Sequence, residues 1–382
     1  MATKATRHGF CAIIRQKGVA IDILERIYEK EQRHSLKPLA RKLTIPLAKR
    51  AILNLYGPPK VGKTMLAKIH SQHFKSPLYL DCGDIRLQQH LPDIADSLAH
   101  FVIQKQCDLL ILDHFCLPAL FQNALDKIRA HSMAAILLVS KSPLPNLAQH
   151  CLLGLDFEEY VSFAHSNTLE HLFNLFLLDG TMPEICLLDE SKKGERKREI
   201  LALGDSTRVL QGILPFMGHT LTTHHLYTHL KKTQPMSKDT MYRCIHDFEM
   251  QKIVFFVPKL HHEKAPKKLY FWDFSLFSAI SYQRNFVALF ENMIFLELQK
   301  IAPPFYSNHL DFLLATKGAN IGFIAAPFLS EDSIRNRIEK AYSHHKDLSR
   351  LYVITLGTAF ERKAPLPSFV LPFWEFALGE QW

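Results

Sequence analysis

Five short apolar runs punctuate the first third of the chain, and helical patterns fill the gaps between them. Ala51–Tyr56, Pro77–Asp81, Leu109–Asp113 and Ala134–Ser140 each read as a strand, and Leu152–Leu155 offers a fifth. A continuous apolar run is what a strand buried on both faces requires, so the alternation predicts a parallel sheet covered by helices on both sides. From Phe157 to about Gly218 apolar residues recur at helical spacing, with Gly180, Pro183 and the polar stretch Ser191–Arg198 as breaks, which predicts an all-helical subdomain. Leu221–Lys232 and Ser237–Met250 predict two further helices around a turn at Pro235-Met236, with Ser237 as N-cap. Two strands, Ile253–Val257 and Leu269–Trp272, follow and are joined by the basic loop Pro258–Lys268. Helix, turn, helix and a two-stranded wing together read as a winged helix-turn-helix. The last hundred residues combine a long helical stretch, Leu276–Lys300, with candidate strands Leu310–Leu314, Ile321–Ala325 and Leu351–Leu356. Helices between those strands would give a small α/β domain.

The segment after the first run carries the strongest chemistry. Gly57-Pro58-Pro59-Lys60-Val61-Gly62-Lys63-Thr64 is a complete G-x-x-x-x-G-K-[ST] phosphate loop, set between a strand and the helix that starts near Met65. Its glycines let backbone N–H groups converge on phosphate oxygens, and the helix dipole favours the anion. Lys63 supplies a point charge for the β/γ-phosphates and the Thr64 hydroxyl is a Mg²⁺ ligand. Gly57 to Met65 are therefore the candidate residues for ATP. Asp113 closes an apolar strand 49 residues after Thr64, where a second Mg²⁺-orienting carboxylate (the Walker B role) belongs. In hydrolytic phosphate-loop proteins a Glu follows; here the next residue is His114, a weaker base toward water, so turnover is expected to be slow or lost. Ser140, with Lys141, follows the fourth strand and is a candidate contact for the γ-phosphate.

Composition narrows the setting. The chain has 382 residues, 47% of them apolar, enough for two or three domains. No uncharged apolar run approaches 18 residues and no signal-peptide core is seen, so a cytoplasmic protein without a membrane partner is expected. Seven cysteines (Cys11, Cys82, Cys107, Cys116, Cys151, Cys186 and Cys244) are scattered and never form a C-x-x-C pair, arguing against a disulfide framework or a zinc site. His225 and His229 lie four apart on a helix but lack a neighbouring third ligand, and so read as surface or core histidines. The net charge of +9 is uneven. Residues 1–50 hold twelve Lys/Arg against four Asp/Glu, and Lys231–Lys268 hold nine against four. Such stretches suit either duplex DNA or a solvated basic face. For DNA, Lys238, Tyr242 and Arg243 on the second helix and Lys259, Lys264, Lys267 and Lys268 on the wing are the candidates.

With these features in place, the chain resembles the bacterial and archaeal AAA+-like P-loop ATPases that carry a winged helix and a C-terminal nuclease-like domain of unknown function. The resemblance runs nearly end to end. It covers the loop Gly57–Thr64, the strand residues Tyr79-Leu80-Asp81, the Walker B strand Leu109–Asp113 and the sensor strand Leu138–Ser142. Leu155-Asp156-Phe157-Glu158-Glu159-Tyr160 is similar to the family's "LSFEEY", and Asp179–Glu184 to its "GGxPE" turn. Tyr270–Asp273, Phe290-Glu291-Asn292 and Leu371–Phe376 match later family segments. The resemblance implies four parts: an ATPase core over 1–156 with a basic N-terminal helical segment, a helical lid over 157–218, a winged helix over 219–275, and a nuclease-like α/β domain over 276–382. It also implies that nucleotide state controls the lid and winged helix. The departures are informative. His150–Gly154 contains no arginine where the family often has Gly-Arg, so no arginine finger is expected there. Asp311-Phe312 matches the nuclease's acidic strand, but its I-E-x-K strand appears as Ile324-Ala325-Ala326-Pro327, which implies a domain without metal-dependent cleavage. Two other readings stay open: a DNA-binding module tuned by nucleotide, and a pseudoenzyme scaffold for a protein partner.

Overall fold

The computed structural model describes residues 18–30, 41–164, 168–202, 206–233, 235–283, 285–316, 318–362 and 367–379. Much of the basic segment 1–50 therefore lies outside the described residues. The chain divides into two compact units, Met1–Leu152 and Leu153–Trp382.

In the first unit, strands β1 (Ile52–Tyr56), β2 (Pro77–Asp81), β3 (Leu109–Asp113), β4 (Ala135–Val139) and β5 (Ala148–Cys151) form a parallel sheet in the order β2-β3-β4-β1-β5. Every residue of β3 and β4 is buried, which is why both read as unbroken apolar runs. The helices Lys63–Ser71, Leu91–Gln104 and Pro118–His131 connect the strands. Leu98, Phe101, Phe121 and Ile128 from two of them pack with Leu78, Leu80, Leu110 and Leu112. Residues 18–30 are helical and add Ala20 and Leu24 to the same core. The fifth strand is not Leu152–Leu155 but the preceding Ala148–Cys151, paired to β1 with Leu53 opposite Ala148 and Tyr56 opposite Cys151. It lies at the sheet edge with its first two residues exposed, so it lacks the apolar run that betrays a central strand.

The second unit opens with the helices Phe157–Phe163, Leu169–Asp179, Pro183–Cys186, Glu190–Ala202 and Thr207–Ile213. The first starts with a capping box: Asp156 accepts the Glu159 N–H at 2.7 Å and the Glu159 carboxylate accepts the Asp156 N–H. Ser191–Arg198 proves to be helical, contrary to the expected break. Lys197 is buried with its ammonium on the Leu178 carbonyl and Lys193 pairs with buried Asp179 at 2.7 Å, so charged residues do the packing that hydropathy assigns to apolar ones. Gly180 (φ 81°) makes the adjoining turn. A Cβ there would lie 2.4 Å from the Asp273 carboxylate, which accepts the Thr181 N–H at 2.6 Å and the Ser275 hydroxyl at 2.6 Å. Gly180→Ala is expected to cost at least about 2 kcal/mol, read as a lowered denaturation midpoint, because both the left-handed backbone and the carboxylate exclude a methyl group.

A three-stranded antiparallel sheet follows: β6 (Thr220–Leu221), β7 (Val254–Val257) and β8 (Lys267–Phe271), in the order β6-β8-β7. Between β6 and β7 run the helices Thr223–Leu230 and Lys238–Met250, capped by the Thr222 and Ser237 hydroxyls. The first of these begins two residues later than expected because Leu221 belongs to β6. The expected single helix Leu276–Lys300 is two, Phe277–Ile280 and Phe286–Gln299, the latter capped by the Asn285 side chain. The last sheet comprises β9 (Phe312–Thr316), β10 (Ala319–Ala325), β11 (Leu348–Thr355), β12 (Phe360–Arg362) and β13 (Ser368–Pro372), ordered β12-β13-β11-β10-β9. Strands β10, β11 and β13 are parallel, and helix Glu331–His344 connects the first two. Strands β9 and β10 form a hairpin rather than a helix-linked pair, and neither β12 nor β13 was anticipated.

Candidate phosphate-binding site

The loop after β1 bends where its glycines permit. Gly57 has φ 147° and a Cβ on it would lie 2.2 Å from the Leu152 carbonyl oxygen; Gly62, at φ 92°, starts the Lys63–Ser71 helix. Lys60 holds a positive φ of 63° without being glycine, a local strain of the kind that loops keep for function. Arg41 Nη1 donates to the Val61 carbonyl at 2.7 Å and clamps the loop from outside, a contact that no motif announces. The helix N-terminus has neither a side-chain cap nor an acidic residue in its first turn. Its N–H groups therefore suit an anion. The side chain of Met65, in that first turn, is exposed.

The Lys63 ammonium donates to the Gly57 and Pro58 carbonyls, at 2.8 and 2.7 Å. Burial pushes its pKa from 10.5 to about 8 against the attraction of Asp113, and the charge of Lys141 lowers it further. The ammonium is thus buried and held by two loop carbonyls beside the uncapped helix start.

Asp113 ends β3 with 1% of its surface exposed. One oxygen accepts the Tyr79 hydroxyl at 2.7 Å and the other the His114 backbone N–H at 2.7 Å. Lys68, on the loop's own helix, sits 4.4 Å from the centre of the Tyr79 ring. Tyr79 was not singled out from sequence as a support for Asp113; a hydroxyl-bearing residue inside the otherwise aliphatic Leu78-Tyr79-Leu80 was the available signal. His114 has φ 51°, and its Nδ1 lies 2.7 Å from Asp81 Oδ1 at the end of β2.

Ser140 is buried, with its hydroxyl 2.8 Å from the Asn54 side-chain amide and donating to the Ser142 carbonyl at 2.6 Å, so it braces β1 against the loop after β4. Lys141 is exposed and is the member of that pair whose charge reaches Lys63. Asn54, buried in the middle of β1, was hidden from sequence reading by its apolar neighbours.

The candidate DNA residues fall on two elements of the second unit. Lys238 and Arg243 are exposed on helix Lys238–Met250, with Lys238 Nζ 5.5 Å from the centre of the exposed Tyr242 ring. Asp239 and Asp247 are exposed on the same helix and reduce its positive field. Lys264 and Lys267 are exposed around the β7–β8 connection. Lys268 differs from these: it is largely buried, ion-paired with Glu291 and 3.6 Å from Asp311, a position that does not suit the expected contact with a phosphate backbone. Burial pulls its pKa down, but those two carboxylates hold it above the ordinary lysine value. Asp311 also pairs with Arg337 at 3.1 Å and accepts the Ala325 N–H at 2.9 Å. The His229 and His225 rings lie 4.8 and 6.2 Å from that of Phe216. No helix among the described residues is long and apolar enough to cross a membrane.

No protein-family profile matches the chain, and no curated protein does. Among solved structures it is similar to the Walker-type ATPase PABY2304 of Pyrococcus abyssi, with 11% identity, a TM-score of 0.43, and coverage of 60% of this chain and 90% of that one. It is also similar to C. elegans PCH-2, with 16% identity, a TM-score of 0.28, and coverage of 62% and 67%. A katanin self-assembly structure matches with 13% identity, a TM-score of 0.29, and coverage of 52% and 77%. What makes the amino-terminal unit a P-loop NTPase fold is its own geometry: a five-stranded parallel sheet, a glycine-bent loop between β1 and an uncapped helix, and a buried aspartate ending β3.

Proposed function

We propose that this protein binds Mg²⁺–ATP at the Gly57–Met65 loop and hydrolyses it slowly. The observation that carries the reading is the Lys63 ammonium, buried and held between two loop carbonyls at the mouth of an uncapped helix. The loop amides and Lys63 bind the phosphates, while Thr64 and Asp113 hold the magnesium ion, which when bound neutralises charge on the β/γ oxygens. Tyr79 and the His114 N–H fix the Asp113 carboxylate for that purpose. We further propose that nucleotide state is relayed to the second unit, where hydrogen exchange would report it. Titration of Mg²⁺–ATP into the intact chain tests the reading; no binding, or equal binding when Lys63 is replaced, would end it.

A second reading concerns duplex DNA. The helix, β6, helix, helix, hairpin order with β8 between β6 and β7 supports reading this region as a winged helix, and Lys238 over Tyr242 gives the start of helix Lys238–Met250 an aromatic and basic tip. Arg243→Ala with Lys267→Ala is expected to weaken duplex DNA binding about tenfold and to flatten its salt dependence by roughly two counterions. Salt-independent binding, or none, would leave this region as a packing module. We read the last sheet and the helix Phe286–Gln299 before it as nuclease-like and inactive, because Glu291 on that helix and Asp311 just before β9 are ion-paired with Lys268 and Arg337.

A further inference from the structure

We propose that Arg41 is a positioning residue for the phosphate site: by tying down the Val61 carbonyl it turns the Gly62 N–H toward the phosphates of a bound nucleotide. The proposal rests on ATP binding at the phosphate loop and adds to it a residue outside the motif, ahead of β1. Arg41 Nη1 donates to the Val61 oxygen at 2.7 Å. A guanidinium stays charged at every working pH, so the contact is a charge-assisted hydrogen bond that pH does not switch off. The Val61 side chain is buried, which anchors the residue from its other side.

A trans peptide is planar, with its C=O and N–H pointing in opposite directions. Fixing the Val61 carbonyl on Arg41 therefore points the Gly62 N–H away from Arg41. Among the described residues nothing accepts that N–H. It stands at the uncapped start of the Lys63–Ser71 helix, one residue before the lysine assigned to the phosphates. A backbone donor so placed is available to a ligand oxygen.

The loop does not enforce this orientation by itself. Lys60 and Gly62, on either side of Val61, both have positive φ, at 63° and 92°. Glycine occupies the left- and right-handed regions about equally well, so the Val61–Gly62 peptide can turn over by rotation about Val61 ψ and Gly62 φ. Turned over, it would present the Val61 oxygen where the N–H now points, and a carbonyl oxygen repels a phosphate oxygen. That rotation breaks the Arg41 bond. A hydrogen bond from an ionised donor is roughly twice as strong as a neutral one, so Arg41 supplies the preference that the glycine withholds.

Val61-Gly62 is the only Val-Gly pair in the sequence, so the intact chain labelled with carbonyl-¹³C valine and ¹⁵N glycine gives one selected amide signal, that of Gly62. Saturating Mg²⁺–ATP is expected to move the Gly62 amide proton of the parent protein downfield, as a proton donated to a phosphate oxygen moves. Arg41→Ala is expected to raise the dissociation constant about tenfold or more and, once saturated, to leave that proton close to its nucleotide-free position. Arg41→Met, which keeps the side-chain stem and removes the donors, is expected to do the same and carries the test if the alanine variant does not fold. Unchanged affinity overturns the proposal. So does weaker binding with the full Gly62 shift at saturation, since Arg41 would then act only as a charge that attracts the nucleotide. Binding by the parent protein without a Gly62 shift also overturns it while leaving the ATP reading intact, whereas absence of binding removes both.

Discussion

Lys63→Ala is expected to raise the dissociation constant for Mg²⁺–ATP at least about a hundredfold, close to 3 kcal/mol, without lowering the melting temperature of the nucleotide-free protein. The two halves of this result have one cause. A lysine whose pKa falls from 10.5 to about 8 on folding destabilises the neutral-pH fold by roughly 3 kcal/mol, which offsets the two carbonyl hydrogen bonds its removal gives up. The sign follows directly. With the folded value below the unfolded one, the cost is complete below about pH 8 and disappears as pH rises toward 10.5. Phosphate binding reverses it by favouring the charged form. Affinity is therefore expected to be flat below about pH 8 and to fall by up to tenfold per pH unit above it, with about one proton taken up per ATP. Calorimetry at pH 8.5 in two buffers of different ionisation enthalpy measures that proton; equal heats in both buffers would contradict the account.

Lys268→Ala is expected to destabilise the protein by about 3–5 kcal/mol, because it leaves the Glu291 carboxylate buried with only the Tyr270 hydroxyl, 2.7 Å away, to compensate it. The Lys268 side chain also lies within 6 Å of the Tyr306 and Phe312 ring centres. Replacing both partners, Lys268→Met with Glu291→Leu, is expected to recover most of the loss, since two apolar groups need no pairing. Chemical denaturation of the two variants decides the matter. A Lys268→Ala protein with unchanged midpoint and weakened DNA binding would return this lysine to the DNA-facing set.

The features legible in the sequence are those whose physics is local. Four of the five core strands lay close to the apolar runs, because a strand covered on both faces carries its burial in its own composition. The phosphate loop was equally plain, since a left-handed turn demands Gly57 and Gly62 wherever the rest of the chain goes. Edge strand β5 was misplaced because it lacks an apolar run and its partner β1 is some ninety residues away, and the polar helix Glu190–Ala202 was missed because charged side chains such as Lys193 do its packing.

Side-chain chemistry was divided in the same way. Sequence alone marked a glycine-bent phosphate loop with its lysine and an aspartate that ends an apolar strand, because residue type and local spacing suffice for that. Only the tertiary structure decided that Ser140 turns to Asn54, that Lys268 is shut between Glu291 and Asp311, and that Asp81 stands behind His114. Each of these depends on strand register or helix packing, which bring together residues tens of positions apart at distances near 3 Å, and no local pattern encodes such a distance.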